Sequence, residues 1–462
     1  MSAIGTQSPA TAYRGRLVSA LRLVGIDRPV AYTLLARIWT VLTGPLTILF
    51  ISRFLRRDEQ GFYYTFGSIL GLQIFFELGL GYVLLQCVSH EKASLEWTAR
   101  GKLEGNAVAK QRLAGLLRMA LKWYGVGAVL VVAALLPAGL QFFSRLGGQT
   151  AIVAWRVPWV WLAVATGLTF FVNPLFAFLE GGGLVAEVAF VRLVGAMLST
   201  LSLWVALSKG WALFANPIVC TVGLIWCAGW LIWRRKSYFL DLLAKPVGAA
   251  IHWRTDVWPF QWRIAVSWLS GYFIFQLFNP VLFAFHGPVV AGQMGMSLSI
   301  AAALQSTGGA WVSTKVAPFG TLVARKQFQA LDRLFFAALC QSLIVLGLGC
   351  ASLYSLVLFL NRIQHPLAGR ILAPLPMGLL LIAMLANHLV FCESYYLRAH
   401  KKEPLLFLSV FGACLITVAT YTFGKYFGAL GVTSAYSLIT VVSTVFVTTA
   451  IFIPKRREWH RA

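Results

Sequence analysis

VAYTLLARIWTVLTGPLTILFIS (30–52), RFLRRDEQG (53–61) and FYYTFGSILGLQIFFELGLGYVLLQCVSHE (62–91) follow one another as two apolar segments joined by a charged corner. Each segment is long enough for a helix to cross the ~30 Å hydrocarbon core of a bilayer. Each also carries one ionisable residue where hydrocarbon is expected, Arg37 in the first and Glu77 in the second. A charge at that depth costs about 3 kcal/mol on insertion scales, so it turns toward protein or water rather than lipid. A helical hairpin lining a polar cavity is the reading from which the rest of the chain follows.

The 462 residues are 59% hydrophobic and 12% charged, against about 25% charged in a soluble protein. The apolar residues come in membrane-length blocks, not in the ~10-residue alternating segments of an outer-membrane barrel. The expected fold is therefore an all-α polytopic membrane protein of about 12 transmembrane helices. The spans read as 30–52, 62–88, 119–141, 155–179, 184–208, 211–233, 262–285, 289–312, 334–360, 371–397, 404–424 and 430–453. The eighth, rich in Gly, Ala and Ser, suits close helix packing or a cavity wall better than a lipid-facing surface.

With the N-terminus inside, the inner segments hold 28 Lys and Arg and the outer segments 9. That bias orients the chain with both termini cytoplasmic. It also accounts for the net charge of +24 through topology and attraction to anionic lipid, with no need for nucleic acid. Residues 1–29 are broken up by Arg14, Arg16, Arg22 and Arg28, so they read as a cytoplasmic segment rather than a cleavable signal. Residues 92–118 mix charge with Leu and Trp, as a surface-lying helix does. The linker 234–261 divides the spans six and six, giving an N-lobe over 30–233, a C-lobe over 262–453 and a cytoplasmic tail over 454–462. RIWTVLTG (37–44) and RIAVSWLSG (263–271) open corresponding helices, a faint internal duplication of the kind that places substrate between two halves.

Thr33, Arg37, Thr40 and Gly44 share one helix face ahead of Pro45, so Arg37 is either a cavity-facing cation or an arginine that snorkels to the surface. Glu77, with Gln73 one turn before it, is a charge pair or a proton- or sodium-carrying group. Arg192 shares a face with Gly195 and Ser199, and Arg263 opens span seven ahead of Ser267 and Ser270. Tyr272, Gln276 and Asn279 make a polar stripe ending at Pro280, and Asn173-Pro174 breaks span four in a comparable way. Such breaks free carbonyls that can line a cavity. Arg53, Arg56 and Arg57 cluster at the outer end of span one, against the inside bias. Glu180 precedes a Gly181-Gly182-Gly183 turn and Glu187 reads as interfacial. His388 and Cys392 are a turn apart without further ligands, so no metal is expected, and the seven cysteines read as small core residues. No phosphate-binding loop or Ser/His/Asp arrangement is present, so neither a catalytic site nor a cofactor is expected.

Arg53, Leu55, Glu59, Gly61, Tyr63, Tyr64, Glu77, Gly79 and Gly81 match a run seen in one family. On them the chain resembles the polysaccharide and lipid-linked oligosaccharide flippases of the multidrug/oligosaccharidyl-lipid/polysaccharide (MOP) exporter superfamily. The specific likeness covers roughly 65 residues. It implies a MATE-like pair of six-helix lobes around a central cavity in the bacterial inner membrane. It also implies transfer of a polyprenyl-diphosphate-linked sugar to the periplasmic leaflet for surface polysaccharide such as O-antigen, lipopolysaccharide or exopolysaccharide. Polysaccharide polymerase or assembly proteins would then be partners, alongside membrane lipid. Arg37, Arg192, Arg263 and Arg53 would hold the diphosphate head, with Gln73, Asn173, Gln276 and Asn279 as cavity-lining polar groups. The chain departs from the family at span eight and in its 14% aromatic content. The rival readings are a MATE-like exporter of small molecules, a membrane glycosyltransferase or polymerase, and an envelope-assembly scaffold.

Overall fold

A computed structural model describes residues 28–98, 102–146, 153–244, 253, 258–400 and 404–461. Residues 1–27 of the expected N-terminal segment and most of the linker 245–257 lie outside the described residues. The first crossing is α1 (Arg28–Phe54). The second is broken into α2 (Arg57–Leu70), a 3-10 turn, α3 (Ile74–Glu77) and α4 (Leu80–Lys92). A strand pair follows, β1 (Leu95–Trp97) and β2 (Leu103–Gly105). The rest of the first half is α5 (Ala107–Leu146), α6 (Arg156–Gly181), α7 (Val185–Ser208), α8 (Ala215–Trp230) and α9 (Lys236–Leu243). The second half holds α10 (Trp258–Phe275), α11 (Phe278–Ser313), α12 (Val316–Ala324), α13 (Phe328–Arg362), α14 (Pro374–Ala399), α15 (Leu406–Leu438) and α16 (Phe446–Arg461).

Among the described residues nine helical runs are long and apolar enough to cross a membrane, and the bent pair Arg57–Glu77 and Leu80–Lys92 makes a tenth. Two of the nine are too long for one crossing: Ile264–Val323 has 60 residues and Leu406–His460 has 55. At 1.5 Å per residue each exceeds twice the ~30 Å core. Each breaks at a glycine with non-helical backbone, Gly287 (φ 82°, ψ 176°) and Gly428 (φ 59°, ψ −142°), where an L side chain would be strained. The breaks fall between the predicted spans seven and eight and between eleven and twelve. Divided there, the described helices make twelve crossings.

The packing repeats along the chain. In the first half α1 lies against α7 and α5 against α6; in the second, α10 lies against α15 and α13 against α14. The most extensive packing between the halves joins α2 to α11. A side chain has no room there: a Cβ on Gly61 would fall 2.0 Å from the Pro288 carbonyl oxygen, and one on Gly295 2.3 Å from the Tyr64 Cβ. Without a hydrophobic drive between helices in lipid, small residues that let backbones approach supply the packing. Gln60 stitches the same seam, donating to the carbonyls of Gly292 and Arg370 at 2.9 Å each. Beside it an aromatic cluster fills the interior, with Phe62 4.9 Å from Phe283 and Phe66 5.1 Å from Trp159 between ring centres.

The expected surface helix over 92–118 is instead the β1–β2 hairpin followed by the start of α5. Three hydrogen bonds accompany this, two local and one long-range. Asn106 accepts from the Val108 and Ala109 amides and so caps α5, and Trp97 donates to the Gly182 carbonyl at 2.7 Å. Lys102 and Lys110 both reach Asp241 of α9, tying the basic ends of the first half together.

Candidate functional site

The second crossing breaks where its charge lies. Leu78 (φ 49°) and Gly79 (φ 68°) are left-handed, directly after Glu77. Irregular backbone at membrane depth persists only against protein or a cavity. Here the Trp123 indole donates to the Phe76 carbonyl at 3.2 Å on one side. On the other side Glu77 lines a cavity of about 390 Å3 with Tyr124, Asn173, Glu180, Arg192 and Trp268. Arg192 binds Glu180 through two bonds of 2.6 and 3.1 Å. The two are 12 residues apart, brought together by the glycine turn between α6 and α7. No ion pair joins Glu77 to a cation among the described residues.

Arg37 lies elsewhere. It lines a second cavity of about 650 Å3 whose other walls are almost wholly α10, α11, α14 and α15 of the second half. Its Nη1 donates to the Ser313 hydroxyl at 3.3 Å, bridging α1 and α11. Thr33 and Thr40 on the same face of α1 are exposed. Gln305, Asn387, Tyr436 and Arg398, with the hydroxyls of Ser306, Ser313, Ser394, Ser409, Thr444 and Thr448, add polar groups to the apolar and aromatic side chains of the lining. Among the described residues Arg37 and Arg398 are the charged residues of this wall, and no carboxylate lines it. The lining of the first cavity includes Glu180 near the C-terminal end of α6, and that of the second includes Ser313 and Arg398 near the C-terminal ends of α11 and α14.

The structure thus brings Glu77, Asn173 and Arg192 into one cavity and puts Arg37 in the other. Gln276 and Asn279, expected to line the cavity, sit instead in the seam between halves. Asn279 is buried and donates to Ser68 at 3.1 Å, and Gln276 packs on Gly71, because α10 runs alongside the broken second crossing. Arg53 belongs to neither cavity. It is exposed at the far end of α1, 16 residues or about 24 Å of helix from Arg37. Gln73 lies in the 3-10 turn and lines neither cavity. Arg263 is placed in α10, and its side chain lies outside the described residues. His388 is fully buried and bonded to Ser342 and Gln305, a structural role. No group of three metal-ligating side chains occurs among the described residues.

Sequence reasoning missed Tyr124, Trp268, Gln305, Asn387 and Arg398. Arg398 was legible only as an inside-loop cation. Asn387 carried a signal, lying two turns before Ser394 and three before Arg398, and it donates to the Tyr436 hydroxyl at 2.6 Å.

No protein-family model and no curated protein sequence matches the chain. Solved structures do. An inward-facing multidrug resistance MATE family transporter of the MOP superfamily matches with a TM-score of 0.61 at 14% identity, over 90% of this chain and 99% of that one. The MATE multidrug transporter DinF-BH matches with 0.61 at 14%, over 93% and 95%. The lipid II flippase MurJ, in an inward closed conformation, matches with 0.54 at 12%, over 93% and 89%. At these identities the likeness is one of fold: an all-α polytopic membrane protein folded as these transporters are.

Proposed function

We propose that the chain is a MOP-type transporter that carries an anionic, lipid-linked headgroup across the membrane by alternating access. The observation that carries this reading is the placement of Arg37: a cation on the first half that faces a cavity walled by the second, with Arg398 and no carboxylate. A diphosphate head cannot enter hydrocarbon, and fixed guanidinium groups hold phosphate through charge-assisted, often bidentate hydrogen bonds. Tyr436, Phe391 and Tyr395 offer ring faces to sugar. The substrate class this fits is a polyprenyl-diphosphate-linked oligosaccharide moved from the cytoplasmic to the periplasmic leaflet of a bacterial inner membrane, both termini cytoplasmic. The chain then has two six-helix lobes divided at the 234–261 linker, and serves surface-polysaccharide assembly rather than catalysis.

Glu77, in the acidic cavity of the first half, is the group that couples the cycle to an ion gradient. The second reading is a MATE-like exporter of small molecules, favoured by the apolar and aromatic share of the larger cavity and by the MATE neighbours.

Leaflet transfer of a lipid-linked oligosaccharide in proteoliposomes tests the proposal, comparing the unmodified chain with Arg37→Ala and with the exposed Lys209→Ala as control. Transfer lost with Arg37→Ala alone, in a protein that still folds, supports it. Absence of transfer by the unmodified chain under a gradient, together with export of a small organic solute, replaces it with the second reading.

A further inference from the structure

A third cavity, of about 800 Å3, lies outside both of those described, between the broken second crossing and α5. Phe75, Phe76 and Leu78 form one wall. The facing wall is a single stripe of α5 from Gly115 to Leu130, at the i, i+3, i+4, i+7 spacing that puts residues on one helix face. Trp253 of the linker closes one end. It stacks on Trp123 at 5.7 Å, packs at a tilt against Trp258 at 4.9 Å between ring centres, and donates to Gln261. Indoles of this kind favour the level of lipid headgroups.

The stripe is ordered along its length. Arg118 and Lys122 come first, near the basic end of α5, and Val126, Gly127 and Leu130 follow, the last about 12 Å deeper than Lys122. Like charges four residues apart on a helix repel, and no carboxylate lines this groove among the described residues. Arg118 donates to the carbonyl of Leu243, and Lys122 is exposed and makes no ion pair among the described residues. Space for an occupant is present at Gly115, where a Cβ would meet nothing within 4 Å.

We propose that this groove holds one anionic membrane phospholipid, its phosphate between Arg118 and Lys122 and an acyl chain along Val126–Leu130. A cationic mouth at interface depth leading into an apolar trough complements an anionic amphiphile. A free phosphate leaves the trough empty, and a zwitterionic lipid brings a cation of its own beside Arg118 and Lys122. The occupant lies against the turn that carries Glu77 but enters neither transport cavity, so the proposal stands independently of the transported substrate.

Native mass spectrometry of the full chain in detergent, with added phosphatidylglycerol or phosphatidylcholine, reads the retained lipid directly. One phosphatidylglycerol per chain is expected, preferred over phosphatidylcholine by roughly tenfold, the worth of one charge-assisted hydrogen bond. Arg118→Gln with Lys122→Gln removes the preference. Gly115→Phe keeps both cations, fills the trough and lowers retention by a similar factor. Arg37→Ala leaves retention unchanged, which separates this site from the transport cavity. Equal retention of the two lipids, displacement by millimolar inorganic phosphate, or undiminished retention in Gly115→Phe would overturn the proposal.

Discussion

The cavity facing Arg37 is walled by two arginines and no carboxylate, whereas the cavity at Glu77 is walled by two carboxylates and one arginine. The first lies between the halves and is mostly apolar. The second belongs to the first half apart from Trp268, and its only cation is already bound to Glu180. An anion is attracted to one and a cation to the other. Under the function proposed above, two such sites let a headgroup and an ion bind apart, each biasing the same pair of conformations.

Reversing the sign of the first cavity is the strongest way to break the contrast. Hydrogen bonds to a charged group are worth about 1.5–3 kcal/mol, and Arg37→Glu adds repulsion to their loss. Transfer of a diphosphate-linked lipid should fall by roughly 100-fold or more, while Arg37→Lys retains part of it. Equal transfer by Arg37→Glu and the unmodified chain would remove the cationic cavity from the mechanism.

The next effect acts on the seam between the halves, where α2 packs on α11. Gly61→Val must displace the Pro288 carbonyl or part α2 from α11. Overpacking of this kind costs about 1–3 kcal/mol, enough to shift a two-state balance by roughly tenfold. Cysteines placed at exposed seam-flanking positions, such as Phe54 and Phe285, should then label faster from the Gly61 end. Unchanged labelling would mean that the seam does not open. Glu77→Gln tests the acidic cavity. It should reduce the gradient-driven part of transport by about fivefold, the low end of known site-to-site couplings, with headgroup affinity unchanged. A fall in affinity with coupling intact would place Glu77 in the substrate site instead.

The breaks between crossings were the most legible part of this fold. Gly287 and Gly428 fall in the gaps read between spans seven and eight and between eleven and twelve, whereas the break at Leu78-Gly79 falls inside a span, 62–88, that reads as continuous. Arg37 was legible from a cost that only a cavity or a surface relieves. Partners across long separations were not. Asn279 and Ser68 are 211 positions apart, and a polar stripe on a helix does not say whether it faces a cavity or a neighbouring helix. The hairpin at 95–105 was hidden because its stability comes from Trp97 on the Gly182 carbonyl, a contact made only once α6 is in place.

The smallest effect concerns Arg192, and its smallness is the point. Its side chain is 59% exposed while Glu180 is 14% exposed, so the pair is screened on one side and is worth about 0.2–1 kcal/mol rather than the several of a buried pair. A double-mutant cycle of Arg192→Met and Glu180→Gln, read by thermal unfolding, should give a coupling within that range. Transport should fall less than in Arg37→Glu, because Glu180 already neutralises Arg192 and leaves it little charge to offer a substrate. If Arg192→Met alone abolished transfer while Arg37→Glu did not, the roles of the two cavities would be exchanged. The anion would then bind in the first half, displacing Glu180 from Arg192 as it enters.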